Sequence, residues 1–89
     1  MIAYLIFMPT SLSKRDVIMY EKLDILSKMA PIREKIKFFE KKYGCNFKDF
    51  EERIKRGKEV FEEWDDFIEW KAYLRTFRNL RKRLEELEK

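Results

Sequence analysis

The sequence has 89 residues, of which 21 are Lys or Arg and 17 are Asp or Glu, so its formal net charge is +4. A chain of this length can build one modest hydrophobic core, which excludes a multidomain enzyme. His is absent, and with it the side chain most used for acid–base catalysis near neutral pH and the commonest metal ligand. We therefore predict a single non-enzymatic domain over residues 1–89, without a cofactor or a metal site.

The N-terminal segment, residues 1–12, is apolar up to Pro9. Its composition favours a short β-strand, which would pair with a second copy or pack on the helices. Alternatively, the segment is a translated extension ahead of an internal start at Met8 or Met19. The apolar run is too short for a membrane span, which needs about 20 residues, and no basic residue precedes it as in a signal peptide. The short run therefore predicts no membrane binding. Because Cys45 is the single cysteine, we expect a cytoplasmic protein.

Residues 13–43 carry the first helical pattern. Ser13 and Asp16 have the spacing of a capping box, and Gly44 is a suitable terminator. Pro31 predicts either a kink or a break with a restart, because it lacks an amide donor. Apolar side chains nevertheless continue at spacings of 4, 3, 4, 3 and 4 residues, as in a coiled coil. We predict that this seam mediates self-association into a dimer or higher oligomer, through Ile25, Met29, Ile32, Ile36, Phe39 and Tyr43.

Two further helices are predicted, a short one over residues 46–56 and a long one over residues 59–88. The long helix begins either near residue 59 or, after a break, with Asp65 as its cap. Its charges are segregated, because residues 59–69 contain six acids and no base, whereas residues 71–83 contain six bases and no acid. Adjacent residues on a helix diverge by about 100°, so Asp65 and Asp66 cannot both face one metal ion. We interpret the acids as a solvated helix start.

The long helix also carries aromatic and basic residues that suggest binding. Trp64, Phe67 and Trp70 are spaced three residues apart and form either part of the core or a hot spot for a protein partner. Bases on the same helix follow one row that could neutralise nucleic-acid phosphates, although an ion-paired or solvated surface is the alternative. The predicted nucleic-acid contacts are Arg75, Arg78 and Lys82. A second basic row contains Arg33, Lys37 and Lys41.

Several short motifs together resemble small archaeal antitoxin-like proteins of type II toxin–antitoxin systems. The resemblance covers about residues 30–89 and rests on Lys42-Tyr43-Gly44, Phe47, Phe50-Glu51, Trp64-Asp65-Asp66 and Glu69-Trp70-Lys71. It implies a protein that binds and neutralises a toxin, commonly a ribonuclease or a nucleotidyl-transferring enzyme. Many such antitoxins also bind DNA through an N-terminal module. This chain departs from that pattern, because its apolar N-terminal run lacks the alternation of a ribbon-helix-helix strand.

These observations predict an all-α protein with three or four helices, arranged as a hairpin or an open bundle with coiled-coil-like seams. We expect the long helix to occlude a toxin by lying in a groove, with its acids opposing the toxin's RNA-binding cations. The predicted partner-binding residues are Trp64, Asp65, Asp66, Phe67, Trp70 and Lys71. The alternatives are a self-associating helical scaffold and a basic nucleic-acid-binding module.

Overall fold

The computed structural model describes residues 12–57 and 60–89. Every regular element in these ranges is an α-helix: α1 (Lys14–Tyr43), α2 (Phe47–Lys55) and α3 (Phe61–Leu87). The predicted all-α class is therefore confirmed. The strand predicted for the first eight residues lies outside the described residues.

Local capping determines where α1 begins and ends. The Asp16 amide donates to Ser13 Oγ at 3.1 Å, and the Ser13 amide donates to Asp16 Oδ2 at 3.3 Å, which completes a capping box. At the other end, Gly44 adopts a φ of 65° and its amide donates to the Glu40 carbonyl at 2.8 Å. Pro31 lies inside the helix with its ring exposed to solvent, so α1 continues through the residue without a break.

The other two helices differ in how they begin. At the start of α2, the Asp49 amide donates to Asn46 Oδ1 at 2.9 Å, so Asn46 is the side-chain cap. α3 begins at Phe61 after Val60, which provides no side-chain cap. The helix then runs unbroken through residues 64–66, so the restart considered at Asp65 does not occur.

The fold is an antiparallel hairpin of α1 and α3, with α2 in the connection. Lys42, near the end of α1, pairs with Glu62 near the start of α3, whereas Arg33, further back along α1, lies over Phe77, further along α3. α2 packs against α3, because Phe47 stacks on Phe67 with ring centroids 5.4 Å apart. The two long helices therefore approach each other over several turns, and α2 covers α3 at the closed end of the hairpin.

The core is centred on Trp70, which is 0% exposed. Its ring lies 5.5 Å from that of Phe39 on α1 and 5.4 Å from that of Phe50 on α2, so one side chain joins all three helices. Ile54 completes this buried cluster. Ile25 and Met29 are also buried, further back along α1, where the antiparallel register places them opposite the last turns of α3.

Candidate functional site

The six residues predicted to bind a partner do not form one surface. Trp70 is in the core, Asp66 and Phe67 are partly buried, and the remaining three are exposed: Trp64, Asp65 and Lys71. Phe67 is held between helices by its stacking on Phe47. Trp70 therefore offers no surface to a partner.

An exposed apolar surface does lie on α3, on the face opposite Trp70. Phe61 is 85% exposed, Ile68 is 61% exposed and Trp64 is 40% exposed. Since successive helical residues rotate by about 100°, these three side chains share one side of the helix. We call Phe61, Trp64 and Ile68 the α3 stripe. The Trp64 ring packs edge-on against Phe67, with ring centroids 5.8 Å apart, so core contacts orient part of the stripe.

A polar cluster ties the end of α1 to the start of α3. Lys42 Nζ donates to Glu62 Oε1 at 2.8 Å and to Asp66 Oδ2 at 2.7 Å. The Tyr43 hydroxyl also donates to Asp66 Oδ2. These contacts cross between the helices at the closed end of the hairpin, so the cluster clamps them together.

Asp66, Tyr43 and Lys42 keep their charge states throughout the neutral range. Burial raises the pKa of Asp66, but hydrogen bonds from Lys42 and Tyr43 outweigh it and hold that pKa below its usual value. Burial and then the hydrogen bond to Asp66 raise the pKa of Tyr43 to about 12. The hydrogen bonds to Asp66 and Glu62 raise the pKa of Lys42. An ionised carboxylate, a neutral phenol and a cation therefore suit a structural clamp better than proton transfer near pH 7.

The predicted self-association seam is largely covered within the chain. Ile25, Met29 and Phe39 are buried, and the other three are partly buried: Ile32, Ile36 and Tyr43. Phe39 stacks on Trp70 of α3, and Tyr43 lies 4.2 Å from Phe50 of α2 between ring centroids. The seam thus contributes to packing between helices of one chain, and contact between two copies would need another surface.

Both predicted basic rows reach the same side of the hairpin. Arg33 and Lys37 of α1 face bases of α3 across a groove whose apolar floor includes Ile36, Leu74 and Phe77. The groove continues along α3 past Arg75 and Lys71. We call this surface the basic groove; its bases are Arg33, Lys37, Lys71, Arg75, Arg78 and Arg81. Of the predicted nucleic-acid contacts, Arg75 and Arg78 line it, and Lys82 lies one turn beyond Arg78.

Comparison with known proteins identifies the family. Residues 5–89 match the model of a family described as the Uncharacterized protein MJ0235 family. The chain belongs to this family. No curated protein and no solved structure gives a significant match. The description of the MJ0235 family names no activity.

Within residues 12–57 and 60–89, no group of three or more His, Cys, Asp or Glu residues is placed to hold a metal ion. None of the described helices is long and apolar enough to cross a membrane.

Phe61 and Ile68 were absent from the predicted site, although the sequence contains a signal for them. Residues 61, 64 and 68 follow helical spacing on one face, and Trp70 falls about 180° away from Phe61. Assigning Trp70 to the core would therefore have placed Phe61, Trp64 and Ile68 on the outer side. That assignment depends on contacts with α1 and α2, which sequence spacing within α3 does not reveal.

Proposed function

We propose that this chain is a non-enzymatic protein-binding module that docks the α3 stripe into an apolar groove of a partner protein. The observation that carries the proposal is the exposure of Phe61, Trp64 and Ile68 on the side of α3 that faces away from the core. Burying a large apolar side chain is worth about 1.5–3 kcal/mol. The stripe thus provides a strong driving force for association that the fold of the monomer leaves unused.

The charges beside the stripe indicate the chemistry of the partner. On the helical wheel, Asp65 and Glu69 follow one edge of the stripe and Lys71 follows the other. Asp65 is exposed and forms no ion pair with another described residue. A partner groove with a basic rim on that edge would complement these carboxylates, because charge complementarity favours the correct partner and speeds encounter.

The resemblance to antitoxin-like proteins supports a more specific proposal for the partner. Trp64 and Asp65, which belong to the motif that carries the resemblance, are both exposed. A toxin that acts on RNA needs cations where the RNA binds, and acids beside an apolar helix face suit such a surface. We propose that the chain neutralises a small basic toxin by occluding that surface, in the cytoplasm, where Cys45 stays reduced.

Co-expression with the product of the adjacent gene tests this proposal. We expect that product to arrest growth when expressed alone, and the wild-type chain to relieve the arrest and to co-purify with it. A Phe61→Ser and Ile68→Ser double variant should lose both effects, because it removes the apolar anchors without touching the core. Tyr20→Ser is the matched control, since Tyr20 is 76% exposed on α1, away from the stripe. A double variant that still neutralises and co-purifies, or a wild-type chain that does neither, would refute the proposal.

Self-association is a second candidate function, and a separate surface of α1 favours it. Met19, Leu23, Leu26 and Ala30 are all exposed and are spaced 4, 3 and 4 residues apart, so they share one helical face. Two copies could pack these faces together as an antiparallel helix pair. Light scattering should then report a dimer for the wild-type chain and a monomer for Leu23→Glu; a monomeric wild-type chain would exclude this candidate.

A further inference from the structure

Six bases from two helices converge on the basic groove with little opposing charge. The only acid among the residues that line it is Glu40. The ion pairs among the described residues involve Lys28 and Lys42 as their cations, and neither residue lines the groove. The cations of the groove therefore lack carboxylate partners within the described parts of the chain, and an anionic ligand would meet them without first displacing one.

The hairpin register brings these bases into two facing rows. Lys71, Arg75 and Arg78 follow spacings of 4 and 3 along α3, and Arg33 and Lys37 are spaced by 4 along α1, so each set occupies one helical flank. The guanidinium of Arg33 lies 5.3 Å from the centre of the Phe77 ring, which connects the two rows. From residue 71 to residue 81, a helix advances about 15 Å, a length that spans roughly four phosphates of one strand of a nucleic-acid duplex.

We propose that the basic groove binds the phosphate backbone of a nucleic-acid duplex, without reading its sequence. Four of the six bases are Arg, whose planar fork suits bidentate contacts with phosphate oxygens. The aromatic rings of the groove, Phe77 and Phe47, are partly buried, and Arg33 lies over Phe77. These rings are therefore poorly placed to stack on bases, and single-strand binding depends on such stacking. Contacts with the sugar–phosphate backbone of the nucleic acid dominate instead. This site shares no residue with the α3 stripe and does not depend on the function proposed above.

Fluorescence anisotropy with labelled duplexes of about 20 base pairs tests the proposal, using duplex DNA, duplex RNA and a single strand of the same sequence. If each base of the groove neutralises one phosphate, log K should fall with log salt at a slope of about −5 for a duplex. Binding should be independent of sequence and weaker for the single strand. The comparison of DNA with RNA then shows which duplex the groove prefers.

A matched pair of charge variants locates the binding surface. The Arg75→Gln and Arg78→Gln double variant should make the slope shallower by about 2 and weaken binding by at least about tenfold at low salt. Both side chains are exposed, and Gln has nearly the helix propensity of Arg, so circular dichroism should show an intact fold. An Arg15→Gln and Lys55→Gln double variant removes the same charge from exposed positions outside the groove and should retain the wild-type slope.

Three results would overturn the proposal: no duplex binding at about 50 mM salt, a slope shallower than about −2, or an equal loss of affinity in the control variant. The two proposals can fail separately. The Arg75→Gln and Arg78→Gln variant should still neutralise and co-purify with the adjacent gene product, whereas the Phe61→Ser and Ile68→Ser variant should still bind duplexes.

Discussion

Trp70 provides the sharpest test of the packing described for this fold. Its side chain is 0% exposed and its ring lies within 5.5 Å of the rings of Phe39, Phe47 and Phe50, between centroids. Replacing a buried aromatic side chain by Ala costs about 3–5 kcal/mol, because burial is lost and a cavity remains. A domain of 89 residues has a total stability of roughly 4–13 kcal/mol, so Trp70→Ala should remove a large part of it.

The indole N–H of Trp70 makes a second variant informative. Nε1 is buried and has no hydrogen-bond partner among the described residues, and an unpaired buried donor costs about 1–3 kcal/mol. Trp70→Phe removes this donor while keeping an aromatic ring against Phe39. Removing the penalty of the unpaired N–H should offset much of the apolar contact that the smaller ring loses. We therefore expect Trp70→Phe to lower the free energy of unfolding by less than about 1.5 kcal/mol.

Urea unfolding followed by circular dichroism measures both effects. Trp64→Ala is the control. Because Trp64 is 40% exposed, this substitution should lower the free energy of unfolding by less than about 1 kcal/mol. If Trp70→Ala costs no more than Trp64→Ala, Trp70 is not the centre of the core. If Trp70→Phe costs as much as Trp70→Ala, the unpaired N–H does not weaken the wild-type fold.

Two further predictions concern the helices themselves. Pro31→Ala restores the amide donor that α1 lacks at an exposed interior position, so the free energy of unfolding should rise by about 1–3 kcal/mol in urea titrations; a decrease would show that the proline stabilises α1. The second prediction follows from the pKa of Asp66, which is lowered in the fold. The ionised Asp66 side chain stabilises the fold above its unfolded-state pKa, near 3.9. This stabilisation is lost as the pH falls through the lower pKa that Asp66 has in the folded state. Asp66→Asn should therefore be less stable than wild type at about pH 7, and the difference should shrink in unfolding experiments as the pH falls through the folded pKa of Asp66; a constant difference would contradict the assigned clamp.

The ends of α1 and the start of α2 could be predicted because their signals are local. Ser13 with Asp16, Gly44 and Asn46 satisfy or terminate backbone groups within one turn, so no distant contact is needed to interpret them. The start of α3 lacks such a signal. Val60 offers no side-chain cap, and the acids that follow it could equally have indicated a start at Asp65.

The partners of the apolar faces could not be predicted from spacing alone. The regular pattern from Ile25 to Tyr43 requires an apolar neighbour, but a second copy and another helix of the same chain meet that requirement equally well. The same limit applies to α3, where Trp64 and Trp70 are six residues apart and so lie on different faces. Because α3 carries aromatic residues on both sides, its sequence does not show which side faces the core. The positions of α1 and α2 are needed to decide this.

The two proposed surfaces meet along one side of α3. Phe61, Trp64 and Ile68 are followed on the same helical face by Lys71 and Arg75. The middle of the stripe and the middle of the basic row, near residues 64 and 75, are separated by about 16 Å along the helix. A protein partner wider than the stripe would therefore overhang the basic row and hinder a duplex there. Because coupling between two binding sites is reciprocal, a duplex in the groove would then weaken partner binding by the same factor.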